Sequence, residues 1–140
     1  MKILIYGDSI MEGFSSEVLG EFYPWKECWP QLLKPKYGID IVMMQKSGRS
    51  MIDEGEFKLF TDFVDQQDPS TFDAAIFALG TNDVQKKGET ATSVIAHINQ
   101  HLNYLEQKGF KHVIYMNHCS LIWERRNVYM WGVPVEKEFF

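Results

Sequence analysis

The sequence predicts an α/β fold, with a parallel β-sheet carrying helices on both faces. Two observations predict it. Short apolar runs alternate with longer segments of helical periodicity. Each of the first three runs also ends in a small polar cluster, as expected where ligands meet the carboxyl edge of such a sheet.

The elements follow in order. Lys2–Tyr6 is an apolar run closed by Gly7 and reads as a buried strand. Trp25–Lys34 reads as a helix with Trp29, Leu32 and Leu33 on its apolar side, stopped by Pro35 and Gly38. Ile39–Met44 is the second strand. Glu54–Gln67 places Phe57, Phe60, Phe63 and Val64 at helical spacing and ends at Asp68-Pro69. Asp73–Leu79 is the third strand, closed by Gly80. Thr92–Gln107 is the clearest helix, with a stripe of Val94, Ile95, Ile98, Leu102 and Leu105 and a capping Gly109. Lys111–Asn117 is the fourth strand.

Composition bounds the function. The 140 residues suit one domain, 1–140, with a single core. No apolar run is long enough to span a bilayer, and the first strand leaves no room for a leader before it. A cytoplasmic protein that does not engage membranes is the expectation. Cys28 and Cys119 show no metal-like or CxxC spacing, which suits free thiols in a reducing compartment. Net charge is −5 and the basic residues fall in scattered pairs, so nucleic acid is not an expected partner. Neither GxGxxG nor GxxxxGK occurs, which argues against a nucleotide-binding module.

The three polar clusters are Gly7-Asp8-Ser9, Ser47-Gly48-Arg49-Ser50 and Gly80-Thr81-Asn82-Asp83. Each follows a strand, so all three converge on one sheet edge. A serine on a strand-to-helix turn is exposed near the positive end of the helix and can serve as a nucleophile. The Ser9 N–H, the Gly48 N–H and the Asn82 carboxamide could together donate to an oxyanion. Each cluster taken singly is equally a turn or a cap. Asp8 reads as a shaper of its turn.

The stretches YGDSIMEG, SGRS and LGTND, with CWPQLL between the first two, resemble the first three blocks of the SGNH/GDSL hydrolases. The resemblance runs from Lys2 to about Asn117, and Gly132–Val135 resembles the start of the family's fifth strand. It implies a flavodoxin-like three-layer sandwich with a central parallel sheet of four to five strands. It also implies ester hydrolysis through an acyl-serine intermediate without metal or cofactor. Ser9 would be the nucleophile, and Ser9, Gly48 and Asn82 would form the oxyanion hole. A small ester, such as an acetylated carbohydrate, is the expected substrate.

The family's fourth signature, Asp-x-x-His, is absent: the last aspartate is Asp83 and the last histidine His118. The fold is therefore expected to be shortened at its C-terminal end. Four answers to the missing base stand open. His118, following the fourth strand, could replace it with Glu124 to orient it. A second copy could supply it, because an open C-terminal sheet edge and an apolar tail invite pairing. The scaffold could bind ligands without turnover. The chain could also be part of a longer enzyme. His97 and His101 read as a solvated helix face, since HINQH lacks the Glu of HExxH. His112 reads as structural. Phe14, Phe22, Tyr23 and Trp25 read as core residues or as the lining of a sugar or acyl site.

Overall fold

The computed structural model describes residues 1–13, 22, 24–85 and 89–116, with the backbone alone at 25, 85, 129–130 and 133–134. Four parallel strands form the central sheet: β1 (Lys2–Gly7), β2 (Asp40–Gln45), β3 (Ala74–Ala78) and β4 (Val113–Tyr115). Their order is β2-β1-β3-β4. The first crossover lands on one side of β1 and the second on the other, so β1 and β3 flank the point where the winding reverses. A two-stranded antiparallel pair, β5 (Tyr129–Met130) with β6 (Val133–Pro134), is separate from this sheet. The stretch expected to begin a fifth parallel strand thus pairs with its own sequence neighbour.

The helices are α1 (Ser9–Glu12), α2 (Trp29–Tyr37), α3 (Glu56–Asp65) and α4 (Ala91–Lys108). Because β1 is covered on both faces, it can be apolar throughout. On one face Leu4, Tyr6, Ala75 and Phe77 pack with Phe60 and Val64 of α3 and with Val94 and Leu105 of α4. On the other, Ile3, Ile5 and Ala78 pack with Met11 and with Trp29 and Leu33 of α2. This is the three-layer α/β arrangement that the alternation of elements predicts.

Several local expectations are corrected. Pro35 sits inside α2, and the helix runs on to Tyr37, where Gly38 at φ +68 ends it. A proline at this depth costs one intrahelical bond, which packing against the sheet tolerates here. Leu32 and Ile95, both expected on buried stripes, are exposed at 43% and 54%. In α4 the buried stripe is instead Ala91, Val94, His101 and Leu105. His101 is therefore a core residue rather than part of a solvated face. Thr90 caps α4 through a reciprocal box with Ser93, which fixes where the stripe begins.

Candidate active site

The strand register sets the site. Gly7 at the end of β1 lies opposite Gln45 of β2 and Ala78 of β3, so all three strands finish at one level. Residues a few positions beyond must then share one edge. Asp8 is the N-cap of α1: it is fully buried, and its Oδ1 accepts from the Ile10 N–H at 3.0 Å. Ser9 is the first residue of α1 and is half-buried. The helix is only four residues long, so the substantial helix dipole expected behind the serine hydroxyl is absent.

Gly7 is required by space. A Cβ there would collide with the Met11 side chain, which fills the turn beneath the serine. Gly48 is required by conformation: it holds φ +73 in an exposed turn closed by the Arg49 N–H on the Lys46 carbonyl at 3.2 Å. The Lys46 N–H in turn donates to the Gly7 carbonyl at 3.2 Å, tying the second loop to the first.

Asn82 joins all three clusters. Its Nδ2 donates to the Arg49 carbonyl at 2.8 Å and lies 3.5 Å from Asp8 Oδ2. One carboxamide thus touches the neighbour of Gly48 and the neighbour of Ser9. Asp83 beside it is fully buried and accepts from Ser50 Oγ at 2.8 Å and from the Ile52 N–H at 3.3 Å. Burial pushes its carboxyl above the usual aspartate range.

Sequence reasoning missed Arg49 and its partners. The guanidinium is buried, with Nη1 donating to the carbonyls of Gly7 (3.2 Å) and Met44 (2.9 Å). Its Nε lies 3.0 Å from Glu56 Oε1, an ion-pair contact without hydrogen-bond alignment. Its Cζ stands 4.2 Å from the centre of the Tyr6 ring, and the Tyr6 hydroxyl donates to the same Glu56 oxygen. Burial raises the Tyr6 hydroxyl far above its ordinary pKa, so it stays protonated. The one available signal was an arginine in the small-residue Ser47–Ser50 cluster, since Glu56 reads as an ordinary first-turn helix carboxylate.

The described histidines lie apart from this cluster. The His101 Nδ1–H meets the His97 carbonyl at 2.7 Å, and its ring packs among Phe57, Phe60 and Phe77. Its Nε2 is buried without a hydrogen-bond partner among the described residues, and burial lowers its pKa to about 4. His112 sits at the opposite, amino end of β4, where its carbonyl accepts from the Ala75 N–H. His118, its suggested partner Glu124, and the aromatic candidates Phe14 and Tyr23 lie outside the described residues. Phe22 is exposed. Cys28 is buried, with its Sγ donating to the Glu12 carbonyl at 3.2 Å, whereas Cys119 lies outside the described residues. Among the described residues no group of three or more His, Cys, Asp or Glu side chains could hold a metal ion. No helix among them is long and apolar enough to cross a membrane.

Known structures share this arrangement of strands and helices. A member of the lipolytic protein G-D-S-L family from Veillonella parvula superposes with a TM-score of 0.61 at 18% identity, over 81% of this chain and 56% of its own. A psychrotrophic esterase from Pseudoalteromonas sp., in a structure inhibited by monoethylphosphonate, gives 0.61 at 19% identity, over 81% and 57%. A carbohydrate acetylesterase family member from Sinorhizobium meliloti gives 0.59 at 21% identity, over 79% and 55%. The chain thus spans little more than half the length of these relatives. No curated protein sequence matches it. The model of the GDSL-like lipase/acylhydrolase family, however, matches residues 5–132. With that match over most of its length, the chain belongs to the GDSL-like lipase/acylhydrolase family.

Proposed function

We propose that the protein is a serine ester hydrolase acting on a small ester, such as an acetyl group on a carbohydrate. The observation that carries this reading is the Asn82 carboxamide, which bridges the neighbours of Ser9 and Gly48. Ser9 Oγ attacks the acyl carbonyl while its proton passes to a base. The carbonyl oxygen becomes an oxyanion held by the Ser9 N–H, the Gly48 N–H and the Asn82 side chain. The alcohol leaves with a proton, and water then cleaves the acyl-serine to acid and free serine. Family membership and the esterase neighbours support the reaction class.

The base is the open part of this proposal. His101 is caged in the core, and none of the described histidines hydrogen-bonds Ser9. His118, just beyond Met116 at the carboxyl end of β4, is our candidate within the chain. A second copy is the alternative source, since β4 is an outer strand among the described ones. The second reading is a binding protein on the same scaffold, favoured by the lack of a described histidine at Ser9. Fluorophosphonate labelling with mass spectrometry tests both. An adduct on Ser9, lost in Ser9→Ala, supports the hydrolase. A folded chain that takes no adduct supports the binding protein.

A further inference from the structure

We propose that Arg49 is a positioning residue: its buried guanidinium, held by Glu56 and Tyr6, sets the oxyanion pocket through Gly48 and Asn82. This rests on the oxyanion roles proposed above.

The argument is geometric. Arg49 reaches back with Nη1 to the carboxyl ends of two strands, bonding the carbonyls of Gly7, the last residue of β1, and Met44, the last but one of β2. Gly7 immediately precedes the Asp8-Ser9 turn. The Arg49 backbone N–H closes the turn that carries Gly48, and its carbonyl accepts from Asn82 Nδ2. One residue therefore fixes the serine turn, the glycine turn and the carboxamide relative to one another. Gly48 itself has no side chain to pack, and its turn is tied to β1 by the Lys46 N–H on the Gly7 carbonyl and closed by the Arg49 N–H.

The guanidinium is itself over-determined. Two carbonyls, the Glu56 carboxylate and the face of Tyr6 surround it, and it is only 3% exposed. Lysine cannot reproduce this set, because its ammonium is a point charge without a planar fork to stack and span two carbonyls. Oxyanion donors depend steeply on placement, and a shift near 1 Å can cost about a hundredfold in rate. Arg49 touches no reacting atom in this arrangement and acts only through its neighbours.

The test compares wild type with Arg49→Lys and Glu56→Gln on the full chain, by two independent readouts. In ¹H–¹⁵N spectra, Arg49→Lys is expected to shift the Gly48 amide and the Asn82 side-chain amide, with amide dispersion elsewhere retained. Glu56→Gln, which keeps an acceptor oxygen but removes the charge, is expected to move the same two signals less far. It also serves if Arg49→Lys does not fold. With p-nitrophenyl acetate, Arg49→Lys is expected to lower kcat by about tenfold to a hundredfold with KM within about twofold, since the loss falls on the transition state. Unmoved Gly48 and Asn82 signals in a folded variant overturn the proposal, as does a loss confined to KM. Wild-type protein that neither turns over this ester nor takes a phosphonate removes the hydrolase reading instead. The spectra then still decide whether Arg49 positions the pocket.

Discussion

His101 gives the sharpest prediction about the fold that carries the site. It is fully buried, its Nδ1–H is spent on the His97 carbonyl, and its Nε2 has no hydrogen-bond partner among the described residues. Protonation would place a cation among Phe57, Phe60 and Phe77. Its folded pKa of about 4 stands against an ordinary 6.5. Above pH 6.5 both states are neutral and the group adds no pH dependence. As pH falls below 6.5 the unfolded chain gains a proton that the folded chain refuses, so stability drops. The shift predicts a loss of about 2 kcal/mol by pH 5 and about 3 kcal/mol below pH 4. Asp83 works the other way: its raised pKa favours the folded state as pH falls. The comparison that isolates His101 is therefore a variant. Urea unfolding at pH 8 and pH 5 should show His101→Leu losing less of its midpoint than wild type, by about 1 M. The exposed pairs of Asp40 and Asp65 keep their carboxyls below the usual range, so their contributions change only at lower pH. Equal pH slopes in the two proteins would refute the burial argument.

Three further outcomes are expected. Asn82→Ala should lower kcat for p-nitrophenyl acetate by about a hundredfold or more, with an unchanged rate demoting Asn82 to a loop brace. Gly7→Ala should destabilise the chain by about 1–3 kcal/mol by forcing Met11 from beneath the serine turn, checked by thermal unfolding. Glu56→Ala should cost about 3–5 kcal/mol because it strands a buried guanidinium, and a change under about 1 kcal/mol would show that Arg49 escapes to water.

The sequence by itself determined the strand-helix alternation, the four parallel strands and the three polar clusters at one edge. These are local signals: apolar runs, glycine punctuation and turn residues act over a few positions each. It also carried Ser9, Gly48 and Asn82 as candidates, because their motifs are contiguous. The tertiary structure alone decided what joins them. The Asn82 bond to the Arg49 carbonyl spans 33 residues, and Arg49 reaches Gly7 across 42. No periodicity announces a buried arginine, since only the packed sheet edge supplies carbonyls, a carboxylate and a ring at the right distances. His101 makes the same point in the core. By spacing it sits with His97 on a helix of mixed polarity, and only the approach of three phenylalanine rings makes it part of the interior.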